Sequence, residues 1–301
     1  MKTEKVNFIR TIFRGIGQIV LQENAISGLL ILIALFLGSW KFGVATLLAT
    51  VVAYFTSLIL KFDNSNIEKG LYGFSPALVG IAFIFFFEDT IVVWVGVILG
   101  SIITAIVQDF FIKKNIPIFT FPFIVVTWIA FVGFHYGLKI PQPISLYADI
   151  EIVRYQHILS FFRNYGQVLF QQSILASLLI FLAISVSSLK SSLYSLIAIL
   201  IAISFSYFAN QPSQFIQLGI YGFNPLLTAL VFSSYKQNTH WLALVGILLT
   251  ILLEYIFRHF HLFDAFGGVL TFPLCWQHGL HFLLIKIFSI NNTKSISCLF
   301  Y

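Results

Sequence analysis

The sequence predicts an all-α polytopic membrane protein built from two homologous halves. Three observations carry this. Charged residues make up 9% of the 301 residues and hydrophobic ones 59%, whereas a soluble domain carries about 25% charge. The apolar residues fall in long runs, such as ISGLLILIALFLG (26–38) and LASLLIFLAISV (175–186). One phrase occurs twice, as Tyr72-Gly73-Phe74-Ser75-Pro76 and as Tyr221-Gly222-Phe223-Asn224-Pro225.

So few charges cannot clothe a globular surface, and the mean hydropathy of +0.95 agrees. The solvent for most of the chain is lipid. In hydrocarbon every backbone N–H and C=O must be satisfied internally, which leaves helices or closed barrels. The runs lack the dyad alternation of a barrel strand, so they are helices. The net charge of +6 suits loops beside anionic headgroups, and nucleic acid is not an expected partner. The two cysteines, Cys275 and Cys298, do not make a disulfide framework. Residues 1–22 lack the pattern of a cleavable leader.

The elements follow the same order twice. A polar-interrupted segment (5–22; 154–172) carries a Gly-Gln pair. Two apolar helices follow (25–40 and 43–61; 174–188 and 192–209), then a polar loop (61–70; 210–218). The repeated phrase opens a short apolar run (75–87; 224–234). Another helix (90–110; 241–258) leads to a Thr-Phe-Pro segment (120–137; 271–288). A polar linker, 141–157, joins the halves. Gln18 and Gln167 are 149 residues apart, as are Tyr72 and Tyr221, while Thr120 and Thr271 are 151 apart. Three landmarks in one order at nearly one offset read as an internal duplication, 1–150 and 151–301.

Ser75 and Asn224 read as N-caps with Pro76 and Pro225 at the first helical position. The run that follows is too short for a span of about 20 residues. It reads as a re-entrant half-helix, whose positive end would disfavour cations in a central passage.

Sites in duplicated membrane proteins commonly lie between the repeats, so polar residues matched in both halves are the candidates. Gln18 and Gln167 each offer a carbonyl acceptor and an amide donor. Thr120 and Thr271 stand beside a proline-broken backbone; the competing reading is a hydroxyl bonded back to the preceding turn. Phe74 with Leu78, and Phe223 with Leu227, would form flat apolar slots. Glu23, Asp109 and Glu254 read as interfacial or packing residues. His278 and His281 share a helix face, but a metal site needs further ligands. No metal, no cofactor and no enzymatic activity is expected.

The stretches GQIVLQENAISGLLILIALFLGSW (17–40), LYGFSPALVGIAF (71–83) and TFPFIVVTW (120–128), with partial copies in the second half, resemble the urea transporter family. The resemblance implies two inverted halves of about five spans and one re-entrant helix each. It implies a multi-pass protein of the cell membrane, a homotrimer with one pore per subunit, and passive, channel-like passage of urea. It also implies that Gln18 and Gln167 are filter glutamines and that Thr120 and Thr271 lie centrally. Leu21, Phe74, Leu78, Phe170, Phe223 and Leu227 become slot residues. Asn24-Ala25 stands where the family usually has Asn-Pro, and Leu21 where an aromatic is expected. Three alternatives stay open: a pore for another small neutral solute such as ammonia, water or a short amide, a proton-coupled transporter using Glu23, and a membrane-embedded enzyme using the late histidines.

Overall fold

The computed structural model describes residues 7–117, 119–143, 156–235 and 240–288. Most of the expected linker, and Cys298, lie outside them. The protein is an all-α polytopic membrane protein, and no strand occurs among the described residues.

Helix α1 (Phe8–Gly17) starts on Asn7, whose side chain accepts from the Arg10 N–H. A 3₁₀ turn at Gln18–Val20 follows and stops at Leu21, which is left-handed. Asn24 Oδ1 then accepts from the Ile26 N–H at 2.8 Å and starts α2 (Ala25–Gly38). The two pieces meet at 75°. Next come α3 (Trp40–Ile59), α4 (Asn64–Glu68), α5 (Phe74–Phe86), α6 (Ile91–Lys113) and α7 (Phe121–Phe131), the last prolonged by a π turn at Val132–Gly137. The remainder is α8 (Gln156–Gln167), α9 (Ile174–Ser187), α10 (Leu189–Phe208), α11 (Ser213–Leu218), α12 (Phe223–Ser233), α13 (His240–His259) and α14 (Phe272–Phe288).

The starts of α2 and α9, α3 and α10, α4 and α11, α5 and α12, and α6 and α13 are each 149 residues apart, and those of α7 and α14 are 151 apart. Backbone geometry recurs at the same spacing. Leu21 and Phe170 have φ of 58° and 55°, and Gly70 and Gly219 have 77° and 81°.

Two expectations are corrected here. The loops at 61–70 and 210–218 contain α4 and α11, too short to leave a periodic pattern. Ser75 and Asn224 are not N-caps. Phe74 and Phe223 open their helices behind Gly73 and Gly222, and neither glycine position has a side-chain cap. The freed side chains act as struts instead: Ser75 Oγ donates to Gln108 Oε1 at 3.3 Å, and Asn224 Nδ2 to the Leu270 carbonyl at 3.0 Å.

Helices α3, α6, α10 and α13 are long and apolar enough to cross a membrane, and the bent α1–α2 pair makes a fifth candidate. Five crossings per half would also draw on the shorter apolar helices. The long helices carry outward stripes, such as Leu193, Ile197 and Leu200 on α10, all exposed. Their inward faces are small. Ala45, Ala49 and Ala53 on α3 are fully buried, and a Cβ on Gly80 of α5 would lie 2.7 Å from the Ala45 carbonyl oxygen. Ala198, Ala202 and Ala229 form the counterpart between α10 and α12. Small residues let helix backbones approach where no hydrophobic force drives them together. The halves join where Ser27 Oγ donates to the Ala183 carbonyl at 2.6 Å, bringing α2 against α9.

At the α5–α6 corner the Asp89 carboxyl lies below its ordinary range, held there by the Lys41 ammonium at 2.8 Å and by the Trp94 indole N–H.

Gly80→Val, which forces α3 off α5, should cost about 1–3 kcal/mol or more, seen as a lower thermal midpoint and folded yield. Gly133→Ala, at a glycine with open space around it, serves as the control. Asp89→Asn should lower the midpoint slightly at pH 7, by under about 1 kcal/mol for a pair so exposed. A depressed carboxyl stabilises fully above its unfolded pKa, so the difference from wild type should shrink as pH falls below about 4 and vanish once it passes below the depressed value in the folded protein. A difference that persists there would rule out the ion pair as its source.

Candidate functional site

Thr120 and Thr271 are set by the backbone just before them. Phe119 and Leu270 are left-handed, with φ of 47° and 48°. Such a conformation in a bulky residue costs about 1–3 kcal/mol and persists only where the surroundings impose it. Each turn delivers a threonine to the mouth of a helix, α7 or α14. The prolines that follow, Pro122 and Pro273, sit in the first helical turn, where a missing N–H breaks no helical bond.

The two threonines, 151 residues apart, touch. Their hydroxyls lie 2.7 Å from each other, and Cys275 Sγ lies 3.5 Å from Thr120 Oγ1. Back-bonding to a preceding turn is therefore not what these hydroxyls do. Thr120 and Thr271 are 5% and 4% exposed. One O–H is spent in the pair, and lone pairs remain on both oxygens.

A cavity of about 640 Å³ reaches Thr271 from the side of α11 and the α13–α14 loop. At its outer end stand His261 and Asp264, paired at 2.6 Å and largely exposed. Its wall is aromatic, with Phe170 and Phe223 joined by Phe85, Phe86, Phe123 and Phe131. Phe85 and Phe170 lie 4.6 Å apart between centroids, and Phe86 meets Phe170 edge-on at 5.7 Å. Gln167 also lines the cavity. It makes no side-chain hydrogen bond among the described residues, so its amide is open to a solute.

Arg258 and Tyr221 also line the cavity. The guanidinium lies 5.8 Å from the Tyr221 ring centroid, and its Nε and Nη2 donate to Glu254 Oε1 at 3.1 and 3.0 Å. Glu254 itself is 1% exposed. The position corresponding to Arg258 in the first half is Asp109. It accepts from the Tyr72 hydroxyl at 3.0 Å and pairs with Lys113 Nζ at 2.6 Å. Glu23 is a half-exposed partner of Arg14 at 3.8 Å.

Of the ten residues singled out from sequence, Gln167, Phe170, Phe223 and Thr271 line this cavity, and Thr120 bonds to Thr271. Gln18, Leu21, Phe74, Leu78 and Leu227 do not line it. Gln18 Nε2 donates to the Lys69 carbonyl at 3.2 Å. Leu21 packs on the core, and Phe74, Leu78 and Leu227 lie inside it. Sequence reasoning missed Phe85, Phe86, Phe123, Phe131, Tyr221 and Arg258. Tyr221 was within reach, since it belongs to the repeated phrase; the four phenylalanines are hidden among 35.

No three His, Cys, Asp or Glu side chains converge among the described residues. His278 is packed between Phe119 and Phe232, at 4.8 and 5.2 Å between ring centroids.

A family model described as urea transporter matches residues 9–286. Urea transporter 1 of Rattus norvegicus is 27% identical over 308 residues, covering 95% of this chain and 78% of that protein. Urea transporter 1 of Capra hircus is 27% identical over 312 residues, covering 97% and 79%.

The cavity yields a labelling pattern. In a background with Cys275 and Cys298 replaced, Gln167→Cys should react with a small charged thiol reagent at least about tenfold faster than Leu78→Cys, because thiol reactivity requires access. Equal rates would mean that the cavity is closed in the membrane.

Proposed function

The chain belongs to the urea transporter family, and on that premise we propose that it carries urea passively through a channel-like passage between its two halves. The observation that carries this reading is the threonine pair at the buried end of an aromatic cavity. Urea is flat, neutral and rich in N–H donors. Stripping an amide-like group of water costs about 2–7 kcal/mol unless acceptors replace it. The hydroxyl lone pairs of Thr120 and Thr271 and the carbonyl of Gln167 supply acceptors. Phe170 and Phe223 supply flat walls that admit a planar molecule edge-on. Gln18, Leu21, Phe74 and Leu78 form the corresponding first-half portion of the path, and Leu227 joins it from the second half. A cation would need far more compensation than these few neutral oxygens supply, so the path disfavours it.

Matched helix starts support two homologous halves, 1–150 and 151–301. An odd number of crossings in the first half inverts the second, and five per half fits this. In the same reading α5 and α12 are re-entrant, three copies assemble with one path each, and the protein resides in the cell membrane. This reading requires neither an enzymatic step nor a coupled proton; Glu23, Asp109 and Glu254 each lie within ion-pair distance of a cation.

Stopped-flow uptake into proteoliposomes tests this. Urea entry should be fast, indifferent to proton gradient and membrane potential, and unchanged in Glu23→Gln. Thr120→Val and Thr271→Val should each lower it about tenfold or more, the size expected when a polar partner is left unpaired. Urea entry equal to that of empty vesicles, with ammonia or formamide entering quickly, would reassign the solute. Dependence on a proton gradient would overturn the passive mechanism.

A further inference from the structure

Arg14 and Arg163 occupy positions 149 residues apart and make the same contact. Arg14 Nη1 donates to the Glu68 carbonyl at 3.0 Å, and Arg163 Nη1 to the Gln217 carbonyl at 3.3 Å. The two acceptors are again 149 apart. Each belongs to the last turn of a short helix, α4 or α11, where carbonyls lack helical partners and a cation suits the negative end of the dipole. The chain then turns at Gly70 or Gly219, pressed directly onto α1 or α8. A Cβ on Gly70 would lie 2.3 Å from the Gly15 nitrogen, and one on Gly219 would lie 2.5 Å from the Asn164 nitrogen. The segments leading into α5 and α12 are thus fastened to α1 and α8 at matched points.

One helical turn beyond each arginine stands a glutamine of the proposed path. Gln18 Nε2 bonds to the Lys69 carbonyl, the one next to that taken by Arg14. Arg14 and Gln18 therefore grip two successive carbonyls at the end of α4. This takes one of the two N–H donors of Gln18 and fixes the amide so that Oε1, with no hydrogen bond to it among the described residues, is the acceptor it can present. Gln167 lines the cavity beside Leu218, the residue that corresponds to Lys69. Arg163 is 6% exposed and the Arg14 side chain 19%, which is little for a cation that serves lipid headgroups.

We propose that Arg14 and Arg163 are positioning residues of the permeation path, and that Arg14 fixes Gln18 as an acceptor toward the passing solute. This rests on the urea-channel reading. Urea offers N–H donors on two nitrogens and formamide on one, so a misplaced acceptor should penalise urea more, whereas a purely structural defect lowers the amount of folded protein and leaves the ratio alone.

The test is uptake of urea and of formamide into proteoliposomes, normalised to folded protein by size-exclusion chromatography. The variants are Arg14→Met, Arg14→Lys and Arg163→Met, with Arg10→Met, exposed on the same helix, as control. Arg14→Met should lower urea flux per folded channel about tenfold, as for loss of a charge-assisted hydrogen bond, and should lower the urea-to-formamide ratio. Arg163→Met should act in the same direction, Arg14→Lys should be intermediate, and Arg10→Met should match wild type. Unchanged flux and ratio in Arg14→Met would overturn the proposal. Should Arg14→Met not fold, Arg14→Lys decides: it keeps the charge without the fork, and a wild-type ratio there overturns the proposal as well. If wild-type vesicles pass no urea, the channel reading itself fails and the clamp falls with it.

Discussion

A helix of thirteen residues is about 20 Å long, and a hydrocarbon core is about 30 Å thick. Helix α5 is such a helix, and α12 is two residues shorter. Neither can end in lipid, because a backbone terminus there would leave its polar groups unpaired. Each must therefore be enclosed by protein along its length and at the end that lies inside the hydrocarbon. The rest of the fold meets this demand. Helices α3, α6 and α7 wrap α5, and α10, α13 and α14 wrap α12. All of α12 is buried, and so is all of α5 except Phe85, which lines the cavity with Phe86.

Close wrapping needs small residues on the inner faces. Gly80 sits under Ala45 and Ala49, and Ala229 sits under Ala198 and Ala202. The ends need polar partners of their own. Ser75 and Asn224, released from capping, reach across to Gln108 and Leu270. The same demand explains α4 and α11, which bring a chain end to α1 and α8 with its carbonyls already satisfied by arginine. Each half thereby builds a rigid polar interior near the middle of an apolar protein, and the two interiors meet at Thr120 and Thr271.

Much of this was legible in the sequence because it was written twice. Composition and run length establish the lipid environment, and matched landmarks locate the glutamines, the threonines and the openings of the half-length helices to within a residue. What was not legible lay in contacts between distant segments. Proline after Ser75 suggested capping by local preference, but Gln108 lies 33 residues on and competes for the hydroxyl. Alanines at i, i+4 on α3 look like filler until Gly80 is placed against them. The arginine clamp escaped notice because its acceptors are backbone carbonyls, which carry no sequence signature. The contact between Thr120 and Thr271 depends on two left-handed residues, Phe119 and Leu270, whose side chains give no hint of that conformation.

Backbone and side chains diverge in how strictly the two halves agree. The φ angles of Leu21 and Phe170 differ by 3°, and those of Gly70 and Gly219 by 4°, yet the chemistry at matched positions departs freely. Leucine faces phenylalanine at 21 and 170. Gln18 is tied to a carbonyl, whereas Gln167 is open to a cavity. Asp109 corresponds to Arg258. Even there a rule survives, because Asp109 pairs with Lys113 and Glu254 with Arg258, each four residues on along the same helix. In both pairs the carboxylate is the buried member and the cation the more exposed one. Moving a carboxylate away from water costs several kcal/mol unless a partner cancels its charge, and here each is cancelled within its own helix. Acidic charge near the interior is thus neutralised locally in each half. On the reading proposed above, what such a frame would admit at least cost is a neutral solute that exchanges its water for hydroxyl and amide oxygens.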